Sequence, residues 1–82
     1  MYDIEFSKAY LDELRSRKEY TRAFDYAMKW ASQNSEAQNC IGYMYAHGEG
    51  TKTDYTEAAK WYREAALRDY PKAQYNLGLL YI

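Results

Sequence analysis

Ala37-Gln38-Asn39-Cys40-Ile41-Gly42-Tyr43-Met44-Tyr45 lies over Ala73-Gln74-Tyr75-Asn76-Leu77-Gly78-Leu79-Leu80-Tyr81 at a constant offset of 36, and Ala, Gln, Gly and the final Tyr are identical in both. Tyr20-Thr21, Ala23 and Ala31 fall in the same way on Tyr55-Thr56, Ala58 and Ala66 at an offset of 35, one residue being gained at Tyr70-Pro71. Self-similarity at that period is the mark of a helix-pair solenoid, in which each unit buries its apolar face only against its neighbours.

Working outward, the chain reads as helical throughout. It has no Val and only three Ile, while Ala, Leu, Glu, Lys and Arg fill long stretches at helical spacing. Asp3 is expected to cap a first helix that includes Ile4 and Phe6 and ends near Arg17. A second spans about Tyr20–Ala31, its Ala23, Phe24, Ala27, Trp30 and Ala31 recurring every three or four residues. Ser35-Glu36-Ala37-Gln38 has the form of a capping box opening a helix to His47, after a left-handed turn at Asn34. The Gly48–Thr53 loop ends at Asp54, an N-cap for a fourth helix to Arg68, and Pro71 starts a fifth that continues to the last residue. The fold class is therefore all-α, a short α-solenoid of stacked antiparallel helix pairs with five helices and about two and a half repeats. It forms one domain: a degenerate pair (1–35), a full unit (36–70) and the first helix of a third (71–82).

Composition narrows the function classes. Eleven basic against twelve acidic residues give a net charge of −1, divided evenly between the two halves, so neither a nucleic-acid nor an anionic-membrane footprint is present. Lone Cys40 cannot form an internal disulfide, and neither a signal peptide nor a run of eighteen apolar residues occurs; a cytoplasmic location is expected.

The run Ala37-xxx-Ile41-Gly42-xx-Tyr45-xx-Gly48-x-Gly50-xxx-Asp54-xxx-Ala58-xx-Trp61-Tyr62-xx-Ala65-Ala66 resembles the Sel-one-like repeat, a relative of the tetratricopeptide repeat with a longer, Gly-containing loop inside each unit. Residues 1–35 resemble a degenerate unit with a shorter, Gly-free connection. Thr51, Glu57, Asn34 and Asp69 depart from the family's preferred Val, Lys and Gly, and left-handed helix ends are expected at Asn34 and Asp69. The resemblance implies binding roles in bacterial signalling, envelope assembly, host interaction or small inhibitor and immunity proteins.

The same residues have a physical reading of their own. Gly42 and Gly78 sit mid-helix, where Gly costs about 1 kcal/mol relative to Ala, so close approach by a paired helix is expected at both. Ile41, Tyr45, Trp61, Tyr62, Leu77 and Tyr81 read as core. No catalytic constellation is visible: His47 stands alone at a helix end, Cys40 and His47 lack further ligands for a metal, and Gly48-Glu49-Gly50 is not a phosphate loop. No enzyme, cofactor or metal is called for.

What remains is a surface. In tetratricopeptide-like stacks the first helix of each pair lines the concave face, and by that resemblance Glu36, Asn39 and Tyr43 form one row and Lys72, Tyr75 and Leu79 the next. A peptide or helix of a protein partner is expected there, with the two tyrosines as anchors; the alternative has them merely covering the flank of a thin stack. The leading reading is an adaptor or scaffold, the second a stand-alone inhibitor or immunity-type protein. Apolar residues surround the fifth helix at its end, which predicts self-association as a homodimer through Leu79, Leu80 and Ile82, or membership of a longer repeat array.

Overall fold

Four of the five helices begin where a polar side chain or a proline resolves the problem of free backbone donors; the second has no side-chain cap. The computed structural model describes residues 5–81, which form α1 (Lys8–Ser16), α2 (Tyr20–Lys29), α3 (Ser35–His47), α4 (Tyr55–Leu67) and α5 (Pro71–Leu80). All regular structure among the described residues is helical. Asp54 caps α4, its carboxylate accepting from Glu57 N–H at 3.0 Å, and Pro71 occupies the first turn of α5.

The start of α1 departs from the sequence reading. Asp3 and Ile4 lie outside the described residues, and Glu5–Ser7 are not helical; Ser7 is the cap, accepting from Tyr10 N–H at 3.1 Å. Tertiary contact explains the shift. Phe6 stacks on Tyr26 at 5.8 Å and meets the edge of Trp30 at 6.3 Å, while Ser7 N–H donates to the Tyr26 hydroxyl at 2.9 Å. A helix begun at Asp3 would turn these groups away from α2.

The capping box at Ser35 does not form. Asn34, with extended backbone rather than the expected left-handed turn, is the cap, and its Oδ1 accepts from Ala37 N–H at 2.9 Å. Gln38, relieved of a capping role, donates from Nε2 to the Ala31 carbonyl at 2.7 Å, and Gln74 repeats the bond one unit later to Ala66 at 3.3 Å. The left-handed helix ends are Lys18, Gly48 and Asp69, with φ of 61°, 69° and 60°. At each, the next residue's N–H reaches back five residues, to Leu14, Met44 and Ala65. Asn34 escapes that conformation because α2 unwinds through tighter turns, Trp30 to Ala27 and Gln33 to Trp30.

Helix α3 is the centre of the molecule, which extends 41 × 25 × 17 Å. Its Ile41 and Met44 are wholly buried with Leu11, Ala23 and Ala27 from the first pair, a burial worth about 1.5–3 kcal/mol for each large side chain. On the other side α4 lies against Gly42: a Cβ there would stand 2.7 Å from Tyr62 Cδ1, and Ala58 and Ala65 flank that ring without exposure. The expected close approach at Gly78 is not found, because nothing comes within 4 Å of the equivalent position on α5. α5 ends at Leu80, with Tyr81 N–H turning back to Gly78 at 3.1 Å, rather than continuing to Ile82, which lies outside the described residues.

Candidate functional site

The first helices of successive units, α3 and α5, carry the residues that the sequence singles out. Glu36, half-buried in the first turn of α3, accepts a hydrogen bond from the Tyr70 hydroxyl at 3.3 Å. One turn on, Asn39 Oδ1 accepts from Asn76 Nδ2 at 3.1 Å. Both side chains are thus engaged across the joint between units. On α5, Lys72 and Tyr75 are exposed, Tyr75 to 69%, and Leu79 keeps 49% of its surface.

Tyr43 is held more firmly. The His47 ring stacks on it at 3.9 Å between centroids, and the Arg15 guanidinium lies 4.9 Å from the ring centre. Arg15 is itself fixed by Glu49, its Nε donating to the carboxylate at 3.2 Å. His47 Nδ1 lies 2.9 Å from the Tyr43 carbonyl, and a carbonyl only accepts, so the proton of the neutral ring sits on Nδ1 and Nε2 is left as an acceptor. A residue from α1 and one from the Gly48–Thr53 loop therefore set the orientation of an α3 tyrosine.

Tyr43 and Leu79 come together on one cleft of about 360 Å³, joined there by His47, Tyr55, Asn76 and Leu80. Glu36 and Lys72 do not line it, and Tyr75 stands outside it. The sequence reading passed over His47, Tyr55 and Asn76 as members of this surface. Tyr55 was visible only as the repeat of Tyr20, and Asn76 only as the counterpart of Cys40; that Asn39 meets Asn76 rather than its own counterpart Tyr75 cannot be read from the repeat offset. The lining carries aromatic rings, an amide, an imidazole and aliphatic groups but no carboxylate, lysine or arginine, so it suits a neutral, largely apolar side chain.

Two reactive groups, one of them on the cleft wall, are subdued by burial. The Cys40 thiol is buried, and desolvation pushes it up to about 11; desolvation likewise raises the Tyr62 phenol to about 12. Among the described residues no three His, Cys, Asp or Glu side chains gather as metal ligands, and no helix is long and apolar enough to cross a membrane.

Comparison with known proteins fits this architecture. The family model described as Sel1 repeat matches residues 35–70 and 71–82. Over 45 residues, 54% of this chain, the sequence is 42% identical to the ERAD-associated E3 ubiquitin-protein ligase component HRD3B of Arabidopsis thaliana. It is also 42% identical over 45 residues, 55% of the chain, to the putative sel1-like repeat-containing protein L21 of Acanthamoeba polyphaga mimivirus. The chain covers 8% of the length of each of these relatives. No solved structure matches. With the repeat matched over more than half of its residues and five helices stacked in the corresponding order, the chain belongs to the Sel1 repeat family, whose repeats mediate protein–protein interaction.

Proposed function

We propose that this chain is an adaptor or scaffold module that takes a peptide or helix of a partner protein on the concave face made by α1, α3 and α5. The observation that carries the reading is the cleft between Tyr43 and Leu79. A tyrosine already immobilised by Arg15 and His47 loses little entropy when a partner packs on it, and an apolar side chain entering beside Leu79 and Leu80 leaves water behind. Glu36 and Asn39 bond across the joint between the two helices beside the cleft, while Lys72 and Tyr75 are exposed on α5 outside it. The relative HRD3B is by name a component of a ubiquitin ligase, and a scaffold role in a larger assembly is consistent with that.

The test is capture of binding proteins from lysate on the immobilised chain, followed by affinity measurement with the purified partner. Tyr43→Ala and Leu79→Glu are each expected to reduce affinity at least tenfold, with Lys29→Ala, on the distant α2, as the neutral control. Equal affinity for all three variants overturns the concave-face assignment. Self-association is the competing use of the same helix, favoured by the exposure of Leu79 and Tyr81. Light scattering over a dilution series separates the two: a dimer dispersed by Leu79→Glu supports self-association, and a monomer at micromolar concentration removes it.

A further inference from the structure

A cavity of about 440 Å³ lies where the end of α2 meets α3 and α4, and it shares no residue with the cleft beside Tyr43. Met28 and Ala31 give it an apolar wall, and Lys60 and Glu64 stand exposed beside it on α4. Gln38 and Trp61 complete the lining, and each brings a buried polar atom that nothing among the described residues satisfies: Gln38 Oε1 and Trp61 Nε1. The Gln38 side chain is 2% exposed and its orientation is fixed. Its Nε2 donates to the Ala31 carbonyl, which only accepts, so the oxygen is the end left over. The indole N–H of Trp61 only donates. An acceptor and a donor thus share one cavity without bonding each other, and each, left unpaired, costs stability that an apolar group of the same shape would not.

We propose that this cavity is a binding site for a primary carboxamide, the side-chain head of a glutamine or asparagine on a partner protein. A carboxamide presents an N–H donor and a carbonyl acceptor side by side, the complement of the pair found here. Its N–H donates to Gln38 Oε1 and its oxygen accepts from Trp61 Nε1, while its aliphatic stem packs on Met28 and Ala31. A carboxylate has no donor for Gln38, and an alkyl group leaves both atoms unpaired, so the site selects by two hydrogen bonds rather than by size. Both atoms lie beneath the cavity surface. The movable walls are two long, unbranched side chains: Met28, 40% exposed, and Lys60, whose ammonium is 5.8 Å from the centre of the Trp61 ring. The carboxamide enters as these two turn aside. A partner's side chain, rather than a free amide, is the occupant that suits a repeat whose family mediates protein–protein interaction.

The first probe is propionamide, titrated into the ¹⁵N-labelled chain. The sequence has two tryptophans, so the indole region carries two N–H signals. That of Trp61 should move downfield and saturate, together with the Gln38 side-chain amide, while that of Trp30 stays in place. Butanone, the same shape with a methyl for the amino group, and propionate should each bind at least tenfold more weakly. Trp61→Phe keeps a ring and removes the donor, and should weaken propionamide at least tenfold, read on Gln38. Should that variant fail to fold in a thermal melt, the ligand series on the unaltered chain decides. Tyr43→Ala, in the cleft, should leave propionamide binding unchanged, so failure here is separate from failure of the concave-face reading. The second probe, a capped Gly-Gln-Gly peptide, should bind at least as tightly as propionamide, and its Gly-Met-Gly counterpart at least tenfold more weakly. Absence of a saturable shift at Trp61, equal binding of butanone, or undiminished binding by folded Trp61→Phe overturns the proposal. So does a cross-peak from the Trp61 indole to a bound water that propionamide leaves untouched, which would assign both atoms to a structural water. Tighter binding of free glutamine than of the capped peptide overturns the assignment to a partner chain.

Discussion

Gly42 and Gly78 are the same letter at the same place in the repeat, and they differ in what a side chain would meet. Gly42→Leu drives carbon into the Tyr62 ring, and thermal melts followed by circular dichroism should show a loss of about 1–3 kcal/mol. Gly78→Ala has open space and a helix to stiffen, and should gain about 0.5–1 kcal/mol. Sequence alone marked both as sites of close approach, because spacing reports register and not whether a neighbour is present. Cys40 and Tyr62 give a second prediction at this scale. Burial raises their ionisation from 9.0 to about 11 and from 10.0 to about 12, whereas in the unfolded chain both ionise at their ordinary values. Their contribution to stability is therefore complete below pH 9 and is lost as the pH rises towards 12. Urea midpoints should fall across that window, and Cys40→Ala should remove the earlier part of the fall.

At the scale of elements, the five helices were legible from apolar spacing, Asp54, Pro71 and the Gly48–Thr53 loop, because those signals act within a turn or two of their own position. Two of the misreadings involve competition from elsewhere in the chain. Phe6 is drawn to Tyr26 and Trp30, which delays α1, and Gln38 is drawn to Ala31, which dissolves the capping box and leaves Asn34 as the cap. Asn34→Ala should then cost about 1 kcal/mol in chemical denaturation, as should Asp54→Ala. Ser35→Ala should change stability by only a few tenths of a kcal/mol, since at the first helical position its hydroxyl accepts from no backbone donor. A large loss from Ser35→Ala and none from Asn34→Ala would restore the capping box.

Over the whole molecule, the solenoid was visible in one self-comparison, but the cleft was not. It depends on Arg15 meeting Glu49 and Tyr43, and on Asn39 meeting Asn76, pairs brought together by packing between helices far apart in sequence rather than by any local pattern. In a calorimetric titration with the captured partner, Tyr43→Ala should weaken binding by about 1.4–3 kcal/mol, and Tyr75→Ala, outside the cleft, by less than about 1 kcal/mol. Arg15→Met should reproduce part of the Tyr43 loss without touching the partner, by letting that ring move. The two glutamine bonds have a mechanical meaning as well. Each is a rivet between consecutive units, set at 2.7 Å beneath α3 and at 3.3 Å beneath α5. The first sits in a buried seam and the second in an exposed one, where water stands ready to replace it. Stretched from its two ends in an optical trap, the chain should peel from the α5 side, yielding there at low force while the seam under α3 still holds, so that load runs through the molecule in one preferred direction.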